Sequence, residues 1–195
     1  KKKFRVTTDS NHGYIVCRNL LNRDFNPGRL NATWVSDITY VRTYEGFLYV
    51  ATVMDLFSRR IVGWSMDKNM DKHLVIKALL MAVYQRQPKA DVMVHSDQGS
   101  KYGSADYLAF MKEHNLVPSM SRAGNCHDNA VAESFFATIK KRIVKRKIYS
   151  TREDAKAEIF NFIEMFYNPK KRHSHIGSVS PAKFEEAYYF ELKTV

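Results

Sequence analysis

Cysteine is scarce in this sequence. Its 195 residues hold only Cys17 and Cys126, too few and too far apart for a disulfide framework or a Cys-x-x-Cys zinc site, so both are expected as reduced thiols. No run of eighteen apolar residues occurs, which leaves no candidate membrane helix. The start, Lys1-Lys2-Lys3-Phe4-Arg5-Val6, lacks the apolar stretch of a signal peptide, and a cytoplasmic protein is expected. Internal repeats and low-complexity tracts are missing too. Negative charge is in short supply: 20 Asp and Glu face 31 Lys and Arg, giving a net charge of +11 and a pI near 9.6. Such a surplus attracts polyanions, of which nucleic acid is the commonest.

The rest of the composition is that of a globular domain with a core to bury, at 45% apolar and 26% charged residues. The positive charge is clustered. Lys140 to Lys147 reads KKRIVKRK, and Lys170-Lys171-Arg172-His173 follows later. Either cluster alone reads as a solvated helix face. Together they favour a surface that contacts phosphates, because each phosphate neutralised releases condensed counterions.

Residues 1 to about 30 carry Asn, Asp, Gly and Pro punctuation without periodicity and read as an extended arm. Three strands are expected after it, over Trp34–Val41, Phe47–Leu56 and Arg60–Met66. Their short links predict an antiparallel meander. A helix is expected from Asp71 to about Gln87, closed by Pro88, then a short strand over Asp91–His95. A Ser-capped helix over Ser104–Asn115 and a strand over Val117–Met120 follow. A long helix is expected from about Asp128 to Arg146. Another runs from Ser150 to Tyr167, with Ser150-x-x-Glu153 at capping-box spacing, and a short one starts near Ser180-Pro181. The order βββαβαβαα implies a mixed α/β sheet of five strands flanked by helices.

Three carboxylates fit poorly in purely structural roles. Asp37 interrupts WVSDITYV, a run apolar on both faces, where an ionised carboxylate costs several kcal/mol unless it is paired or coordinates a metal. Asp97 lies just after the strand DVMVH, at its carboxyl end, where sites in α/β sheets gather. Glu133 lies about 100° from the axis of the stripe formed by Ala132, Phe135, Phe136, Ile139 and Ile143, so it borders the core. Asn129 and Lys140 share its flank. Singly, each acid has a bland reading: a buried Asp with hydrogen bonds, a turn Asp, a solvent-facing Glu. As a set they suit two-metal phosphoryl chemistry, in which carboxylates hold a cation pair about 4 Å apart. Hard oxygen ligands favour Mg²⁺ or Mn²⁺ over Zn²⁺. His173-x-His175 is the nearest rival for zinc, without further ligands at finger-like spacing.

The strings TWVSDITYV, DLFSRRIVGW, HSDQGSKY, SRAGNCHDNAVAESFF and YNPKKRHSHIGSVSPAKFE closely resemble the catalytic domain of bacterial insertion-sequence transposases of the retroviral-integrase-like DDE type. The likeness runs over about Asn31 to Glu186. The 35 residues between Asp97 and Glu133 match the spacing of the D,D(35)E group. The resemblance implies a ribonuclease-H-like fold and makes Asp37, Asp97 and Glu133 the metal-binding catalytic carboxylates, holding two Mg²⁺ or Mn²⁺ ions. It implies cleavage at the ends of a mobile element and attack of the exposed 3′-hydroxyl on another phosphodiester. Double-stranded DNA, as element ends and target, is the expected partner, with self-association into at least a dimer.

By the same resemblance Asn125, Asn129, Lys140, Lys141, Lys171, Arg172 and His173 are candidate DNA contacts. Lys171 stands where the group usually has Arg, and Ala137, one turn after the glutamate, is not basic. The implied organisation is an arm or linker from an upstream DNA-binding region over 1–30, a core over 31–167 and a basic tail with a short helix over 168–195. The first methionine, Met54, supports the expectation of a fragment. Two other readings remain: a nuclease of the same fold that only hydrolyses, and a non-catalytic DNA-binding or assembly module.

Overall fold

The computed structural model describes residues 13, 15–122, 130–144 and 148–194. Five strands form one sheet: β1 (Thr33–Thr43), β2 (Gly46–Asp55), β3 (Ile61–Asp67), β4 (Val92–Ser96) and β5 (Leu116–Met120). Their spatial order is β3-β2-β1-β4-β5. β1, β2 and β3 pair antiparallel, as their short links require, whereas β4 runs parallel to both β1 and β5 after helical crossovers. The helices are α1 (Lys72–Arg86), α2 (Ala105–Glu113), α3 (Ala130–Ile139), α4 (Arg152–Phe160), α5 (Asn168–Lys170) and α6 (Pro181–Thr194). α3 and α4 widen at their ends into π-helical turns over Lys140–Val144 and Asn161–Tyr167.

Two apolar layers sandwich the sheet. In β2 every residue from Leu48 to Asp55 is buried, as expected of a strand covered on both sides. Trp34, Ala51 and Val53 face α1 and α2 together with Leu74, Leu79 and Met111. Val35, Val41, Leu48, Val50 and Met54 face the opposite way, onto Ala132, Phe135, Phe136 and Ile139 of α3 and Ile159 of α4. α1 sits close to β3 because residue 63 is glycine: a Cβ there would come within 2.2 Å of the Ala78 carbonyl oxygen.

The end of the chain packs on the same body. Asn168 donates from Nδ2 to the Ile61 carbonyl (3.0 Å) and accepts the Ile61 N–H (2.9 Å), standing in for a strand at the free edge of β3. α6 is fourteen residues long, more than the short helix the sequence suggests. It is anchored by Glu185, which accepts hydrogen bonds from Arg60 (2.7 Å) and Arg86 (3.1 Å), and by Phe184 against Phe57 (5.2 Å between rings). Residues 20 and 21 donate their amides to Ser119 Oγ on β5 (2.9 and 3.3 Å), and Leu21 is buried in the layer under α3.

One local reading is corrected. The capping box of α4 is not Ser150 with Glu153 but Thr151 with Asp154: Thr151 Oγ1 accepts the Asp154 amide (3.0 Å), and the Asp154 carboxylate accepts the Thr151 amide (3.2 Å). Either hydroxyl suffices locally. The choice falls to tertiary contacts of Arg152, whose amide donates to Glu45 Oε2 (2.8 Å) and whose Nε donates to the Phe47 carbonyl (3.1 Å).

Candidate active site

Asp37 is in the middle of β1, on the face that carries Val35 and Val41, and therefore beneath α3. Its cross-strand neighbour is Thr52. The parallel pairing of β1 with β4 sets Val35 beside His95. Two residues beyond this last pair stand Asp37 on one chain and Asp97 on the other, and the charge of Asp97 acts on Asp37. Asp97 is the first residue beyond β4, where the chain turns off the sheet. Its Oδ1 accepts the Gly99 amide (2.9 Å), and a Cβ on residue 99 would sit 2.9 Å from that same oxygen. A methyl group on residue 99 would therefore have to displace the carboxylate from this turn.

Glu133 lies in the first turn described for α3, exposed at the edge of the buried stripe of Ala132, Phe135, Phe136 and Ile139. Lys140 follows about two turns later on the same edge. Both act on Asp37. Its carboxyl is pushed from the ordinary 3.8 up to about 8, first by burial, then by the negative charge of Asp97, and further by that of Glu133. The Ile38 amide, donating to Asp37 Oδ1 at 2.7 Å, and the charge of Lys140 pull the other way. Three carboxylates separated by 60 and 36 positions in the chain thus act on one locality.

The carboxylates do not form a closed shell: among the described residues no three His, Cys, Asp or Glu side chains are gathered tightly enough to hold an ion. The donor set nevertheless fits a hard divalent cation. It consists of carboxylate oxygens alone, and its innermost member holds its proton up to about pH 8 because burial and the charges of Asp97 and Glu133 outweigh the Ile38 amide and Lys140. Sequence reasoning missed a buried pair behind this site, on the opposite face of β1. Tyr102, fully buried, reaches Ser36 Oγ with its hydroxyl (3.2 Å). Burial first, and then the charges of Asp37 and Asp97, push its phenol well above the ordinary value. The only sequence signal was its place at the end of HSDQGSKY.

The candidate DNA contacts divide. Lys140 and Lys141 are exposed at the end of α3, while Asn125 and Asn129 lie outside the described residues. Lys171, Arg172 and His173 follow α5, on the flank of α3 away from Glu133. The His173 ring packs edge-on against Tyr167 (5.0 Å). Burial first, then the charges of Lys171 and Arg59, lower its pKa to about 4. No zinc set forms around His173 and His175 among the described residues.

A mixed sheet in the order β3-β2-β1-β4-β5, with helices on both faces, is a ribonuclease-H-like fold of the integrase-core type. Solved structures agree at the level of the fold. The HTLV-2 integrase catalytic core domain in complex with magnesium matches with TM-score 0.58 and 16% identity, covering 80% of this chain and 96% of that one. A simian T-cell lymphotropic virus intasome chain matches with TM-score 0.65 and 15% identity, over 89% of this chain and 60% of that one. Two models described as "Integrase core domain" match residues 28–126 and 114–181.

Among curated proteins, the "Insertion element IS600 uncharacterized 31 kDa protein" of Shigella sonnei is 45% identical over 189 residues, which is 97% of this chain and 70% of that protein. "Transposase InsF for insertion sequence IS3A" of Escherichia coli (strain K12) is 46% identical over 184 residues, which is 94% of this chain and 64% of that protein. The chain belongs to the integrase-core family of bacterial insertion-sequence transposases and spans about two thirds of the length of these relatives.

Proposed function

We propose that this chain carries the catalytic centre for two successive phosphoryl transfers on DNA: cleavage at the ends of a mobile element, and joining of the freed 3′-hydroxyl to a target phosphodiester. The observation that carries this reading is the convergence on Asp37 of the charges of Asp97, Glu133 and Lys140, at the end of the β1–β4 pair and beneath the edge of α3. Asp37, Asp97 and Glu133 are the residues that would hold Mg²⁺ or Mn²⁺, with two ions per site. Such ions, when bound, polarise the scissile phosphate and stabilise the attacking and leaving oxygens.

The residues of the chain do the rest. Asp37 and Asp97 are held in orientation by the Ile38 and Gly99 amides. Tyr102 and Ser36 fill the layer behind β1 without introducing a charge. Glu133, on the exposed edge of α3, completes the set from the solvent side, where a DNA strand arrives. Lys140 and Lys141 are suited to the backbone phosphates of that strand, and Lys171, Arg172 and His173 to phosphates on the other flank of α3. Asn125 and Asn129 are proposed to contact the same DNA. Both steps are in-line displacements at phosphorus, so one site serves water in the first and a DNA 3′-hydroxyl in the second.

Upstream DNA-binding residues, at least a dimer to pair two ends, and a place on the bacterial nucleoid complete the proposal. The experiment incubates pre-cleaved element ends with target DNA, full-length protein and Mg²⁺. Joined product is expected from the wild type and none from Asp97→Asn or Glu133→Gln, with DNA binding largely retained. Joining by either variant refutes the assignment. Hydrolysis without joined product in the wild type supports a nuclease. Calorimetry with Mn²⁺ addresses the non-catalytic module, which predicts no heat beyond that of Asp37→Ala.

A further inference from the structure

α3 has a second edge. Counted at about 100° per residue from Glu133, Val131, Ser134, Phe135 and Thr138 centre roughly 150° round the helix, beyond the buried stripe. This edge forms one wall of a cavity of about 360 Å³. The facing walls are Arg59, from the turn between β2 and β3, and the segment carrying Lys171, His173 and His175.

The electrostatics of the cavity are one-sided. The Arg59 side chain comes from a residue only 6% exposed. Its Nη2 donates to the Phe25 carbonyl (3.0 Å), but its buried Nη1 has no hydrogen-bond partner among the described residues. His173 Nε2 is likewise buried without a partner. The neighbours raise the potential further. Arg142 acts on Lys171, and Arg59 acts on both His173 and His175. Among the described residues no carboxylate lines the cavity. Asp55, the acid among the described residues whose charge acts on Arg59, is committed to the Asn31, Phe57 and Ser58 amides at 2.7 to 3.0 Å. A buried guanidinium without a carboxylate on it is costly and calls for an anion.

We propose that this cavity is a seat for a single phosphate group of a nucleic acid, separate from the carboxylate site and on the opposite edge of α3. Lys171 and the histidines supply donors at its mouth, Ser134 offers a hydroxyl, and the Arg59 guanidinium supplies charge from behind; Thr138 lines the wall with its own hydroxyl donated to the Ser134 carbonyl (3.1 Å). Tetrahedral phosphate suits this mixed set of nitrogen and hydroxyl donors. The seat deepens the proposed function: it fixes a DNA strand at one edge of α3 while Glu133 addresses the strand at the other. The phosphate is either a backbone diester or a 5′-terminal monoester, and the two give the same contacts.

The test follows the His173 and His175 ring protons by NMR in the 195-residue chain. Inorganic phosphate is titrated against chloride at matched ionic strength. Two short duplexes are then titrated, identical except for a 5′-phosphate. Saturable shifts with inorganic phosphate are expected, and Thr138→Glu and Lys171→Gln should each weaken them roughly tenfold or more. Shifts with both duplexes assign the seat to a backbone diester; shifts with the phosphorylated duplex alone assign it to a strand end. Thr138→Glu places a carboxylate in the cavity without touching Arg59, whose loss could unfold the turn. Absence of any saturable shift, or full phosphate binding in folded Thr138→Glu, overturns the proposal. Asp97→Asn should bind phosphate as the wild type does. Loss of joining with phosphate binding intact therefore counts against the catalytic reading alone.

Discussion

Replacing Asp37 by Asn should make the metal-free protein more stable, and only above a certain pH. In the folded chain the Asp37 carboxyl titrates near 8; in the unfolded chain it titrates near the ordinary 3.8. The folded state therefore holds the proton more tightly. The contribution of this group to stability is intact below pH 4 and is lost as pH rises towards 8. One proton bound in the folded state and none in the unfolded state corresponds to a slope of about 1.4 kcal/mol per pH unit. Between pH 5 and 7 the wild type should lose roughly 2 to 3 kcal/mol through this carboxyl. Asn keeps the acceptor for the Ile38 amide and carries no charge, so its curve should lack this slope.

The assay is equilibrium denaturant unfolding of both proteins in EDTA at pH 4, 5, 6, 7 and 8, read as the difference between them. The other titrating groups largely cancel in that difference. The variant should match the wild type at pH 4 and exceed it from pH 6 upwards. Adding Mn²⁺ should then stabilise the wild type at pH 7 and leave the variant unmoved, because only a state that binds the ion gains by mass action. Parallel curves across the whole range would refute the reasoning, since they would mean that neither burial nor the charges of Asp97 and Glu133 raise the Asp37 carboxyl.

Gly63→Ala should destabilise the fold by about 3 kcal/mol or more, because its Cβ would collide with the Ala78 carbonyl where α1 meets β3; unfolding midpoints check it. Burial alone would raise the Glu185 carboxyl, but the hydrogen bonds and charge of Arg86, with help from Arg60, hold it below its ordinary value. Its stabilisation is therefore present at neutral pH and lost as pH falls through that lowered value. Glu185→Gln should cost about 3 kcal/mol at pH 7, and less in acid, when measured by thermal unfolding at both pH values. Gly99→Ala should leave the melting temperature nearly unchanged but cut strand joining sharply, because the new methyl group displaces the Asp97 carboxylate; joining at the wild-type rate would exclude a positioning role for this turn.

Much was legible before any coordinates. Alternation and β-branched runs mark β1, β2 and β3, Asp71 and Ser104 cap α1 and α2, and Ala132, Phe135, Phe136 and Ile139 of the α3 stripe are buried as their spacing requires. These features are set within a few residues of each other, and local propensity and solvent exclusion fix them. The capping box slipped by one residue because two hydroxyls are locally equivalent, and Arg152 decides between them through contacts with residues 45 and 47. Asn168, prominent in the sequence beside Tyr167, serves the backbone of Ile61, a pairing that only the folded edge of β3 creates.

The sequence by itself determined the elements, the positive charge, and the three acids at their spacing. The tertiary structure alone decided that the strand carrying Asp37 lies beside the one ending at Asp97, and which edge of α3 meets the site and which faces Arg59. The physical reason is the range of the interactions. Hydrogen bonds in a parallel pair join segments some sixty residues apart, and buried charges respond to neighbours in space, neither of which follows from adjacency in the chain.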